Sequence, residues 1–178
     1  YFMDIELFVN ITSRAWALPI LAQLHAGVPG RQAQLLKATG AGRTAFAQSM
    51  AHLIDIGLME RNPGHGHPLR PEFRLTAQGE EMAGVAARIM GLAANRPQAP
   101  LLRRSWTVPI LAVTAQPRHF TEIRSTLSPI TDRALSQSLR VLEDQDMVRR
   151  EVDGFARPPR PTYRAIELGA KIARVIAA

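Results

Sequence analysis

The chain has 178 residues, 46% hydrophobic and 21% charged, and its 22 basic against 15 acidic groups give a net charge of +7. The absence of cysteine excludes disulfide frameworks, thiolate zinc sites, cysteine nucleophiles and thiol redox sensing, and no apolar run reaches the roughly 20 residues of a membrane-spanning helix, so a soluble, cytoplasmic globular protein of one or two domains is expected. A pI near 11.1 points to an acidic partner, nucleic acid before an anionic membrane surface.

In chain order, Tyr1 and Phe2 precede Met3 and read as the remnant of an expression tag, so they carry no functional argument. The string AWALPILA from Ala15 predicts a short apolar helix, and FAQSMAHLIDIGLMER from Phe46 predicts another, with Phe46, Met50 and Leu53 as its buried stripe. A hairpin follows, from LMER through the loop NPGHGHPLRP to EFRLT, and then a helix from about Ala77 to Ala94. Pro97 and Pro100 break helical periodicity in AANRPQAPLL and mark a linker.

Beyond the linker, SWTVPILAVTA predicts a helix with Ser105 as N-cap and Pro109 tolerated in its first turn. A helix over roughly Phe120 to Leu127 follows QPRH. The next is capped by Thr131 or Ser128 and buries Leu135, Leu139 and Leu142 at i, i+4 and i+7. MVRREV and TYRAI read as strands joined by the loop DGFARPPRP, and a last helix starts near Glu167.

These elements form an internal repeat. AWALPILA returns as SWTVPILA, so that Trp16 pairs with Trp106 and Pro19 with Pro109 at an offset of 90. FAQSMAHLIDIGLMER matches LSQSLRVLEDQDMVRR at offset 89, and PEFRLTAQG matches PTYRAIELG at offset 90. The chain is therefore read as a tandem duplication, with domains at residues 3–95 and 102–178 and a linker at 96–101. Three helices, a strand, a loop, a strand and a helix are the order of a winged helix-turn-helix. The fold class expected is mainly α with small β wings (α+β), two tandem winged domains arranged as a pseudo-dimer.

The blocks RSWTVPIL, RHFTEIRSTLSPITDRALSQSLRVLEDQDMVRR and PTYRAIELG resemble the HxlR-type winged-helix transcription regulators, a branch near the MarR group. The first copy is similar through FRLTAQG, which fits the YxLTxxG pattern that closes the wing in such domains. The resemblance covers almost the whole chain and implies a bacterial-type, sequence-specific regulator of double-stranded DNA. Members are commonly single winged-helix subunits that pair as homodimers on near-palindromic operators, whereas this chain carries two copies. Several sense electrophiles or oxidants through a cysteine near the N-terminus, a device that a chain without cysteine does not share.

The resemblance directs attention to the third helix of each copy, which would enter the major groove, where Arg pairs with guanine and Gln with adenine. In the second copy the face opposite the buried stripe offers Thr131, Arg133, Ser136, Gln137 and Arg140; the bland alternative is a solvated helix face. In the first copy Thr44, Ala47, Gln48 and Ala51 align with the last four, with Arg43 and His52 alongside, and Gln48 shares a slot with Gln137. The second wing carries Arg157 and Arg160 among stiffening prolines. The first has His65, His67 and Arg70, and histidine as a residue type is mostly neutral at pH 7. Net charge is +2 over residues 1–97 and +5 over residues 98–178.

Other readings are weaker. His65 and His67 lack the further ligands a metal site needs, so neither a metal nor a cofactor is expected. Trp16 and Trp106 are the candidates for a ligand pocket that would take a small-molecule effector, against a favoured reading as core. Met50, Met59 and Met82 read as core filler. No spacing suggests a phosphate loop, paired carboxylates or a Ser, His and Asp arrangement, so no enzyme is expected. A competing reading is a winged-helix protein-interaction module or co-regulator in which only the second domain, or neither, binds DNA. Both a monomeric pseudo-dimer and a homodimer remain open.

Overall fold

Two runs of short helices, each ending in an antiparallel hairpin and a further helix, make up the computed structural model, which describes residues 4–177. Tyr1, Phe2 and Met3, where the sequence suggests a tag, lie outside the described residues. The chain divides into two compact units: residues 10–94, and residues 95–177 together with residues 4–9.

The first unit contains α2 (Ala17–His25), α3 (Gln32–Thr39), α4 (Arg43–Asp55), β1 (Met59–His67), β2 (Arg70–Leu75) and α5 (Ala77–Ala93). The second contains a 3-10 turn (Ala99–Arg103), α6 (Thr107–Val113), β3 (Arg118–His119), α7 (Phe120–Thr126), α8 (Asp132–Asp144), β4 (Val148–Val152), β5 (Pro161–Ala165) and α9 (Glu167–Ala177). Helix α1 (Ile5–Thr12), which the sequence pattern does not single out, gives its residues 5–9 to the second unit and 10–12 to the first, and buries Phe8 and Ile11.

Each unit is built around an apolar helix packed against its closing helix, α2 with α5 and α6 with α9. Pro19 and Pro109 are the third residues of α2 and α6, where a backbone N–H has no intrahelical partner to lose. The stripes read from periodicity are buried: Phe46, Met50 and Leu53 on α4, and Leu135, Leu139 and Leu142 on α8. Burying a side chain of this size stabilises by about 1.5–3 kcal/mol, so these stripes dock the third helix of each unit and fix which face remains outside. Met59 and Met82 are buried as well.

The end of each hairpin explains the repeated block around LTAQG and IELG. Thr76 caps α5: its Oγ1 accepts from the Gly79 amide at 3.1 Å and donates to the Gly57 carbonyl at 2.7 Å, while its own amide donates to Leu58 O at 3.1 Å. A Cβ on Gly79 would lie 1.8 Å from Leu58 O, so only glycine lets the helix seat on the strand. In the second unit the Ile166 amide donates to Met147 O at 3.0 Å, and a Cβ on Gly169 would lie 2.1 Å from that oxygen. The closure is the same, but the threonine cap is confined to the first unit.

Four expectations are corrected. The segment NPGHGHPLRP is not a free loop: β1 and β2 pair out to His67↔Arg70, leaving Pro68 and Leu69 as the turn. The register shifts between Arg61 and Gly66, and Gly64 and Gly66 adopt φ of 77° and 78°, which lets a proline- and glycine-rich stretch stay in the ladder through an irregularity. QPRH is not only a lead-in, because Arg118 and His119 form β3, making a three-stranded sheet of order β3-β5-β4. Its counterpart in the first unit is the single bridge Arg31↔Glu72. Ser105 is not the N-cap of α6; that position falls to Trp106, without a side-chain cap. Trp16 and Trp106 stand at the N-caps of α2 and α6 and are half-buried, not part of the fully enclosed core, because a cap lies at the end of the buried face.

No single helix among the described residues is long and apolar enough to cross a membrane.

Candidate nucleic-acid interface

In the second unit α7 and α8 are joined by a turn over residues 127–131. His119 and Glu122 form a capping box at the start of α7, with the His119 amide donating to Glu122 Oε2 at 3.2 Å. Thr131 is the N-cap of α8, and its Oγ1 accepts from the Ala134 amide at 3.1 Å. Arg124 of α7 donates to Asp132 Oδ1 of α8 at 2.9 Å, across the turn. Such an exposed pair is worth about 0–1 kcal/mol and serves more to orient the two helices than to stabilise them.

Burial of the leucine stripe leaves Arg133, Ser136, Gln137 and Arg140 exposed. Their i, i+3, i+4 and i+7 spacing places them on one face about 10 Å long. Arg133 and Arg140 form no ion pair among the described residues, so their guanidinium groups are free to meet an outside anion. Beside the first turn of α8 lies an open cleft of about 750 Å³ whose lining includes Arg124, Ser125, Ser128, Thr131 and Arg133. The hydroxyls and the Arg133 guanidinium suit phosphate oxygens, whereas Arg124 is already paired with Asp132, which also lines the cleft. The sequence pattern does not mark Arg124, Ser125 or Ser128 for anion contact, because only the turn brings them beside Arg133. Their place just upstream of the third helix is the signal that could have found them.

The second wing leaves the sheet after Val152 and returns at Pro161. Arg157 and Arg160 are exposed there and form no ion pair among the described residues. Lower on the wing, Arg149 and Arg164 both approach Glu151, at 3.9 and 3.3 Å, so part of the basic charge of β4 and β5 is internally neutralised.

The first unit shows the same frame with different chemistry. α4 begins after Gly42, which offers no side-chain cap, and exposes Arg43, Thr44, Ala47, Gln48 and Ala51. His52 is not available on this face: its Nε2 lies 2.7 Å from Asn10 O and 3.3 Å from Ser13 Oγ, tying α4 to the start of the unit. On the first wing Glu72 gathers the polar groups around it, with Arg31 Nε and His65 Nδ1 each at 3.6 Å and Asn62 donating at 2.9 Å. His67 Nδ1 accepts from the Leu69 amide at 3.1 Å. Arg70 is exposed and borders a second cleft, of about 380 Å³, with Arg31, Gln32, Gln34 and Leu69. Neither tryptophan lines either cleft.

All thirteen residues singled out for DNA are exposed. The structure gathers Thr131, Arg133, Ser136, Gln137 and Arg140 on or beside one helix face, sets Arg157 and Arg160 on the wing of the same unit, and splits Arg43, Thr44 and Gln48 from His65, His67 and Arg70 in the same way in the other unit. No cluster of three or more metal-ligating side chains occurs among the described residues.

A helix pair with a tight turn, followed by a hairpin and a helix that packs back on the first, makes each unit a winged helix-turn-helix domain. The HxlR-like helix-turn-helix family matches the chain twice, over residues 11–98 and 101–178, and the chain belongs to that family. Uncharacterized HTH-type transcriptional regulators of Mycobacterium tuberculosis and Mycobacterium bovis are each 29% identical to it over 82 residues, 46% of this chain and 51% of theirs. The chain thus spans about half the length of the curated relatives it matches. A solved structure described as the reduced form of the transcriptional regulator YodB from B. subtilis aligns with 58% of this chain and 86% of its own at 22% identity and a TM-score of 0.39.

Proposed function

We propose that this protein is a sequence-specific, double-stranded DNA-binding transcriptional regulator in which α8 and α4 each enter a major groove while the wings follow the backbone or the minor groove. The observation that carries this reading is the face of α8, where two arginines free of ion pairs among the described residues flank Ser136 and Gln137 along about 10 Å of helix. Arginine pairs bidentately with guanine and glutamine with adenine, so this face has the donors for direct readout. The family and the naming of the mycobacterial relatives support the same reading.

Two helix-turn-helix units in one chain supply the two recognition helices that a homodimer draws from two subunits, and here they are free to differ. Thr44, Ala47 and Ala51 offer methyl groups rather than charge, which suits thymine methyls, with Gln48 for adenine. The preferred site is accordingly asymmetric, with a guanine-containing half for α8 and an A·T-rich half for α4. Selection from a random-sequence duplex library tests this directly; a perfect palindrome as the consensus overturns it. The underlying DNA binding is tested by affinity for random duplex as salt is raised. Contact with about 6–10 phosphates costs three to five decades between 50 and 200 mM salt, and no binding at low salt refutes the regulator reading.

A second reading applies to the first unit. Its recognition face carries Ala47 and Ala51, and its wing carboxylate Glu72 sits among Arg31, His65 and Asn62. Both features suit a unit that holds a protein partner while the second unit carries the DNA. Deleting the contacts of α4 alone separates the two: an unchanged selected sequence favours partner binding.

A further inference from the structure

Among the described residues four large apolar side chains are exposed, and three of them stand on the wings: Phe155 at 100%, Leu69 at 85% and Val152 at 53%. A lone exposed apolar residue is ordinary. Here, however, each wing carries one, Leu69 in the two-residue turn of the first and Phe155 in the open loop of the second, and the two share one local contact. The Phe155 amide donates to Asp153 Oδ1 at 2.9 Å, and the Leu69 amide donates to His67 Nδ1 at 3.1 Å, so in each case a side chain two residues earlier holds the backbone of the apolar residue. The local sequences, DGF and HPL, share no residue, yet this contact recurs.

The charge around the tips selects the partner. Arg157 and Arg160 follow Phe155, and Arg70 follows Leu69, all exposed and free of ion pairs among the described residues. Proline at 158, 159 and 161 limits the freedom of the second tip. Arginine beside a projecting apolar wedge is the combination that proteins use to enter a minor groove, unstack one base step and kink the duplex. A lipid surface fits less well, because membrane attachment draws on a continuous apolar face, whereas these are single side chains on two separate wings.

We propose that Phe155, and to a lesser extent Leu69, inserts between base pairs from the minor groove, so that the protein bends its DNA as well as reading it. The proposal rests on the DNA-binding reading above, and its test separates the two. Phe155→Ala removes a side chain fully exposed to solvent, so the fold does not depend on it. With a short duplex carrying 2-aminopurine beside a TA step, the unaltered protein raises the probe's emission and shortens the distance between end-attached dyes. Phe155→Ala binds roughly tenfold more weakly, with the emission rise and shortening lost and the salt dependence unchanged, since no phosphate contact is removed. Leu69→Ala gives the same pattern at smaller amplitude. Unchanged emission and bending in Phe155→Ala overturn the wedge and leave the regulator standing. So does loss of binding to phosphatidylglycerol vesicles with DNA binding intact. If the unaltered chain binds no duplex at low salt, both readings fall.

Discussion

α4 and α8 carry glutamine at the same position, Gln48 and Gln137, but α8 surrounds it with Arg133, Ser136 and Arg140 where α4 has Thr44, Ala47 and Ala51. Their buried sides remain alike, Phe46, Met50 and Leu53 against Leu135, Leu139 and Leu142. The wings repeat this division. The second holds Arg157 and Arg160 clear of any carboxylate among the described residues, whereas Glu72 in the first draws in Arg31 and His65. Two copies of one fold can therefore keep their packing and part company in their chemistry, because the stripe that docks a helix and the face that meets a partner are different residues of the same helix.

The strongest way to break this contrast is to remove its charged half. Arg133→Ala combined with Arg140→Ala should weaken binding to a selected duplex by about 100-fold or more, at about 1–3 kcal/mol for each bidentate contact, and relax the base preference at two positions. Anisotropy titration and a repeated selection measure both effects; larger losses from Thr44→Ala with Gln48→Ala would mean that α4 dominates instead. Arg157→Ala with Arg160→Ala should act uniformly across sequences and lower the slope of log affinity against log salt by about two. A change in base preference rather than in slope would place these arginines on base edges.

Smaller changes sharpen the contrast from the other side. Glu72→Gln removes the carboxylate charge beside Arg31 and His65, and affinity for random duplex should rise several-fold, by about 1 kcal/mol. Thr76→Ala should cost about 1 kcal/mol through the lost cap of α5, read as a lower denaturation midpoint. Ile166→Ala tests the corresponding position of the second unit, which has no such cap to lose. Arg43→Ala should have the least effect on DNA affinity, within about threefold. A loss larger than that of Arg133→Ala would reverse the ranking of the two helices.

Much of the frame is legible in the amino-acid sequence. The offsets of 89 and 90 reveal the duplication, and the spacing of Leu135, Leu139 and Leu142 fixes which way α8 faces, so the exposure of Arg133, Ser136, Gln137 and Arg140 follows. The pairing of NPGHGHPLRP was not legible, because glycine and proline signal a break and only the partner strand shows that the ladder passes through an irregularity. Strand β3 is two residues long and has no periodicity to detect. Helical spacing sets His52 beside the recognition face, but its hydrogen bond to Asn10 spans 42 residues of sequence, beyond the reach of any local pattern.

What the amino-acid sequence determined alone was local and periodic: two copies, their helices, the buried stripes and the sign and distribution of charge. Tertiary structure decided which of the outward groups are free. Arg157 and Arg160 stand clear while His65 lies beside Glu72, and Phe155 projects fully into solvent. The reason is physical: burial of a helix face follows from a repeat of 3.6 residues along the chain, whereas pairing of a charge depends on groups that only folding brings within a few ångströms.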